Sequence, residues 1–143
     1  MNKIKLVPRA GIPLLVAAVL GVAFGAPAAA SGPYFDECST GGYRVEVWAV
    51  ADPGFYWSTV HYEFFGGGDE SNMNIRIYND DNDLLWSWNS PDNREPGMTY
   101  SQPVRRSNGA LIPAHAGDRA DFTAIFDRPI WSDPRCTATA IVD

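Results

Sequence analysis

The chain has 143 residues, with seventeen acidic against eleven basic side chains and a formal net charge of −6. An acidic chain is poorly suited to bind nucleic acid or an anionic membrane, because its charge repels phosphate groups. We therefore expect no nucleic acid and no membrane among the partners of the folded protein.

The first thirty residues have the pattern of a secretory signal peptide. Basic residues precede an apolar run over 12–24, and small residues stand at Ala28 and Ala30, where signal peptidase requires them. A membrane anchor is the alternative, but the run falls short of the roughly 20 apolar residues that a span needs. We expect cleavage after Ala30, which would leave one secreted domain over 31–143 with eight arginines, no lysine and seventeen acidic residues.

Four segments after the signal peptide alternate apolar and polar residues with a period of two, which is typical of half-buried strands. They are 43–50, 57–65, 72–78 and 119–127. Three further segments have weaker strand patterns: 84–88, 98–104 and 136–142. Turn-forming residues separate the segments, and no stretch sustains a helical stripe over three turns. The sequence therefore predicts an all-β fold, a small antiparallel two-sheet sandwich that is immunoglobulin-like or jelly-roll-like, with a barrel as the alternative.

Two cysteines, Cys38 and Cys136, lie near the two ends of the predicted domain. An even number of cysteines in an exported protein indicates a disulfide. Closing a loop of about 100 residues would stabilise the fold by up to about 4.7 kcal/mol through lost loop-closure entropy. A bridge between chain ends resembles, in layout, that of some small exported carbohydrate-binding modules.

Asp80, Asp81 and Asp83 lie in a polar segment between two predicted strands. An EF-hand loop that began at Asn79 would need glycine at its sixth position and glutamate at its twelfth, and the chain has neither. Asn and Asp also favour tight turns, where they hydrogen-bond their own backbone. We therefore predict a hairpin turn and no metal site, with an irregular calcium site as the alternative.

The tryptophans are the most informative functional signal. Trp86 and Trp88 share one strand face, and we expect them to pack in the core or under loops. An aromatic side chain among polar neighbours is typical of a stacking surface or a protein hot spot, because it offers large rigid area. On this ground we choose Trp48, Trp57 and Trp131, for which packing in the core is an equal alternative. The predicted ligand-binding residues are Trp48, Trp57, His61, Arg76, Tyr78 and Trp131.

Sequence motifs of enzymes are missing: there is no GxSxG, HExxH, CxxC or phosphate-binding loop. We therefore predict no catalytic residue and no cofactor, and expect a secreted, monomeric binding module or effector that contacts a glycan or an extracellular protein through surface aromatics. A flat row of exposed indoles would favour a glycan, and a protruding loop around Trp131 would favour a protein. The alternatives are a small hydrolase that uses carboxylates or His61, and a structural cell-envelope protein.

Overall fold

The computed structural model describes residues 32–143, so the predicted signal peptide lies outside the described residues. The described residues form eight strands and no helix. The strands are β1 (Tyr34–Thr40), β2 (Tyr43–Asp52), β3 (Tyr56–Phe65), β4 (Asn72–Tyr78), β5 (Leu84–Asn89), β6 (Thr99–Pro103), β7 (Arg119–Ile125) and β8 (Arg135–Ile141). Sheet 1 has the order β1-β2-β3-β6 and sheet 2 the order β5-β4-β7-β8, and both are antiparallel. The predicted all-β, two-sheet sandwich is confirmed.

The core lies between the two sheets and follows the alternation of the sequence. Every second side chain of the four strongly alternating strands is fully buried, as predicted. Sheet 1 contributes Val45, Val47, Val60, Tyr62 and Phe64, and sheet 2 contributes Met73, Ile75, Ile77, Ala120 and Phe122. Burying one large apolar side chain of this kind is worth about 1.5–3 kcal/mol. The intervening side chains therefore form the outer faces of the two sheets.

Strand β1 was not predicted from the sequence. It is the edge strand of sheet 1, and most of its side chains are exposed or only half-buried, so its apolar alternation is weak. A two-residue turn joins it to β2, with φ of 56° at Gly41 and 85° at Gly42. Positive φ at both central residues is the requirement of a type I′ hairpin, which pairs Thr40 with Tyr43.

The predicted disulfide is confirmed, and it joins the two sheets. Cys38 lies on β1 and Cys136 on β8, and their Cα atoms are 5.9 Å apart. These are edge strands of sheets 1 and 2, so the bond closes one side of the sandwich. Beside it, the backbone N–H of Thr139 donates a hydrogen bond to the Asp36 carboxylate at 2.6 Å. The covalent bond therefore fixes the position of β1 relative to β8.

The side chain of Trp57 is fully buried, which corrects the prediction that it contacts a ligand. The register of β2 and β3 pairs Val50 with Thr59 and then Ala51 with Trp57, so Ser58 is an extra residue in β3. A β-bulge of this kind shifts the side-chain alternation by one position. Trp57 therefore faces the core, although the alternation of the following residues would place it on the outer face.

Trp86 and Trp88 pack against the core from β5, as predicted. The indole N–H of Trp86 donates to the backbone oxygen of Arg105 at 2.9 Å. The guanidinium of Arg94 lies 4.4 Å from the ring centre of Tyr100 and 5.9 Å from that of Trp88. Both indoles are thus engaged within the fold and do not form an exposed row.

Candidate binding face

The outer face of sheet 1 brings together two of the predicted residues, Trp48 and His61. Strand register places Phe35 opposite Trp48, and Trp48 opposite His61. The rings of Trp48 and His61 are stacked, with centres 5.1 Å apart and 6° between their planes. The Phe35 ring follows at 6.3 Å from Trp48, with a tilt of 31°. We call these three side chains the aromatic row.

The stacking determines which parts of the aromatic row a ligand can reach. Phe35 on β1 and His61 on β3 flank Trp48 from opposite sides, because β2 lies between these strands. The His61 ring covers one face of the indole, and the other face is directed towards Phe35. Phe35 itself is 69% exposed, since it lies on the edge strand. The row therefore offers ring edges and one free phenyl face, rather than a flat platform of indoles.

His61 is held in place by two hydroxyl groups. Its Nδ1 lies 2.6 Å from Ser101 Oγ, and its Nε2 lies 2.9 Å from Thr59 Oγ1. Burial lowers the pKa of His61 below its usual value of 6.5. A nucleophile–histidine–acid triad needs a carboxylate on the second ring nitrogen. Within residues 32–143, that nitrogen meets Thr59 instead.

We expect His61 to make the protein less stable as the pH falls below 6.5. Its folded pKa is lowered, so the unfolded chain binds the proton more readily, and the stability present above the unfolded pKa is lost as the pH falls through the folded value. Urea unfolding at a series of pH values would compare the parent with His61→Gln. The parent should lose stability more steeply than the variant over this window. Parallel curves would contradict the lowered pKa.

Three carboxylates form a second row beside the aromatic row. Strand register pairs Glu37 with Glu46, and Glu46 with Glu63. Each carboxylate lies two residues along its strand from a ring of the aromatic row. Arg44 Nη1 lies 2.8 Å from Glu46 Oε1 and 3.3 Å from Glu37 Oε2. The hydroxyl of Thr99 donates to Glu63 Oε2 at 3.2 Å. Glu63 forms no ion pair with any described residue, so it faces Glu46 as a like charge, which is unfavourable across a strand pair.

A shallow groove of about 340 Å³ lies between β1 and β2 and contains parts of both rows. Its apolar wall comes from two rings of the aromatic row, and its polar rim comes from carboxylates. The lining residues are Phe35, Asp36, Glu37, Glu46, Val47 and Trp48. The groove is therefore apolar at its wall and negatively charged at its rim.

Arg76 and Tyr78 lie on the other side of the molecule, on the outer face of sheet 2. Both alternate with buried residues of β4, and the ring of Tyr78 lies 4.6 Å below the guanidinium of Arg119. Arg119 also contacts Asp121 at 3.4 Å. The sandwich core separates this face from Trp48, so the predicted residues do not form one site.

Trp131 lies in the loop between β7 and β8 and is 75% exposed, next to Ile130 at 84%. The loop lies beside the turn that joins β1 and β2, because Arg128 Nη2 donates to the backbone oxygen of Gly41 at 3.5 Å. The same guanidinium lies 5.2 Å from the ring centre of Tyr43. Among the described residues, Trp131 is thus the one largely exposed indole, beside a second exposed apolar side chain.

The acidic segment after β4 forms the predicted hairpin turn to β5. The backbone N–H of Asp83 donates to Asn79 Oδ1 at 2.7 Å, and Asn82 has a φ of 67°. Asp80 and Asp81 are exposed at the tip. Over residues 32–143, no group of three or more His, Cys, Asp or Glu side chains is arranged to hold a metal ion.

Comparisons with protein-family models, with curated proteins and with solved structures find no match for this chain. In the part of the chain that the structure describes, no helix is long and apolar enough to cross a membrane. The function proposed below therefore depends on the geometry of the outer face of sheet 1.

Proposed function

We propose that this protein is a secreted binding module that recognises an extracellular protein through the outer face of sheet 1. The observation that carries the proposal is the aromatic row packed beside the carboxylate row on one continuous sheet face. Rigid aromatic side chains surrounded by polar groups are typical of protein interfaces. The disulfide supports an extracellular location, because such bonds persist in oxidising compartments.

The geometry of the indoles supports a protein partner better than a glycan. A sugar ring needs an open aromatic face, and the indole faces of Trp48 are directed at its two neighbours in the row. Trp57 is buried in the core. The most exposed indole is Trp131, in a loop with an exposed isoleucine, as expected of a contact with a protein.

Replacing Phe35 or Trp48 with alanine is expected to weaken binding of the protein partner by about tenfold, as for an interface hot spot. The immobilised protein would first capture partners from the medium and cell surface of the producing organism. The affinity of each purified partner would then be measured for the parent and the variants. Phe35 is exposed, so its removal should leave the melting temperature nearly unchanged.

Tyr78→Ala is the matched control, since it removes an aromatic ring from the outer face of sheet 2. It is expected to bind the partner as the parent does. The proposal fails if the Phe35 and Trp48 variants bind like the parent. A glycan array probed with the same variants tests the other class of ligand, and a glycan whose binding requires Trp48 would replace the protein partner.

A further inference from the structure

We infer that the outer face of sheet 1 recognises a basic partner, an extended protein segment with arginine or lysine side chains at alternate positions. The inference rests on the proposed function and names the chemical class of its partner. It is supported by the distribution of charge over the two sheets, the exposed ring of Phe35 and the length of the carboxylate row.

The two outer faces of the sandwich carry opposite charge. On the strands of sheet 1, three outward glutamates are accompanied by one cation, Arg44. On the strands of sheet 2, the outward charged residues are Arg76, Arg119, Asp121 and Arg135. Because burial lowers the pKa of His61 below 6.5, its ring is mostly neutral at pH 7 and adds little positive charge to sheet 1. A cationic partner would therefore be directed to the face that holds the aromatic row.

The rings at the groove are unused by the arginines of this chain. Other aromatic rings of this protein lie under arginines, which is a favourable contact between a cation and a ring face. These pairs are Arg44 with Phe65, Arg94 with Tyr100, Arg119 with Tyr78 and Arg128 with Tyr43. No described arginine lies over Phe35 or Trp48, although carboxylates flank both rings. A guanidinium in the groove would contact the free face of Phe35 and a carboxylate together.

Repulsion within the carboxylate row destabilises the free protein, and a bound cation would reduce this repulsion. Glu46 and Glu63 face each other across the strand pair, where like charges repel. The Arg44 ion pairs are exposed, with side-chain exposures of 43% for Arg44, 61% for Glu37 and 42% for Glu46. Exposed pairs of this kind contribute only about 0–1 kcal/mol, so an incoming cation can displace Arg44.

The length of the row accommodates two alternate side chains of an extended segment. Neighbouring strands lie about 4.8 Å apart, so Glu37 and Glu63 are separated by about 10 Å across the sheet. Side chains on one side of an extended chain repeat at about 7 Å. A segment lying across the strands would therefore place two basic side chains along the row, with one of them at the groove.

The test is a titration of the secreted protein with a synthetic peptide that carries arginine at alternate positions, followed by NMR and calorimetry. Peptides with glutamine or glutamate in place of arginine are the matched probes. We expect the arginine peptide to shift the backbone signals of Phe35, Trp48 and Glu46, with an affinity that falls as salt is added. The glutamine and glutamate peptides should shift neither these signals nor those of sheet 2.

Charge variants are expected both to weaken and to strengthen binding of the arginine peptide. Glu46→Gln is expected to weaken binding of the arginine peptide by about threefold, as for one exposed ion pair. Arg44→Gln should strengthen binding by a similar factor, because it frees two carboxylates. Glu70→Gln removes the same charge from the exposed turn before β4 and should leave the affinity unchanged. A merely structural role of Arg44 would not produce tighter binding.

The outcomes separate this inference from the proposed function. If the glutamine peptide binds the same face as well as the arginine peptide, the basic partner is overturned while binding by the face stands. If a deacetylated glucosamine oligomer binds and the peptide does not, the partner is a cationic glycan and the inference fails. If no probe shifts the signals of this face, the basic partner is again overturned, and the capture experiment alone decides the proposed function.

Discussion

Replacing both Cys38 and Cys136 with alanine is expected to remove a large part of the stability of this domain. The bond joins residues 98 positions apart, and a loop of that order lowers the entropy of the unfolded chain, which stabilises the fold by up to about 4.7 kcal/mol at 25 °C. Domains of this size are stable by only about 5–15 kcal/mol in total. The double variant should therefore unfold at a much lower urea concentration than the parent.

The double variant also supplies the control for reduction. A reducing agent should lower the unfolding midpoint of the parent towards that of the variant and leave the variant unchanged. Equal midpoints for the parent and the double variant would contradict the stabilising role of the bond. Because the bond fixes β1 to β8, partial loss of order should appear first at Phe35, which β1 contributes to the aromatic row.

The core could be predicted from the sequence because its signal is local. Val45, Val47 and Ala49 alternate with polar residues on one strand, and such a period of two has one simple solution, a strand with a buried face. The same reasoning missed β1, whose exposed edge position weakens the alternation. The Gly41–Gly42 pair before a clear strand was the available signal, since two adjacent glycines suit a type I′ hairpin turn.

The candidate site could not be assembled from the sequence because it depends on strand order and register. Phe35, Trp48 and His61 are neighbours only because β1, β2 and β3 lie side by side. Arg76 and Tyr78 show equally polar surroundings in the sequence, and yet β4 places them on the opposite sheet. A polar alternation says that a side chain faces outwards, but it does not say on which of two faces.

Trp57 illustrates a third limit of prediction from the sequence, because a single β-bulge reverses the face of every residue beyond it. Substitution of Trp57 tests whether its side chain is buried. Trp57→Ala is expected to lower the free energy of unfolding by about 3–5 kcal/mol, the usual cost of a large cavity in a core. Trp131→Ala removes the same side chain from an exposed loop and should change stability by less than about 0.5 kcal/mol. Urea unfolding followed by circular dichroism would compare the two variants with the parent.

A second substitution separates the volume of the Trp57 ring from its polar group. The indole N–H of Trp57 is buried and has no hydrogen-bond acceptor among the described residues. Trp57→Phe removes this group, whose burial without a partner costs about 1–3 kcal/mol, while most of the ring volume is kept. We therefore expect Trp57→Phe to be far more stable than Trp57→Ala and to bind ligand as the parent does. An alanine variant as stable as the parent would place Trp57 at the surface and contradict the bulge at Ser58.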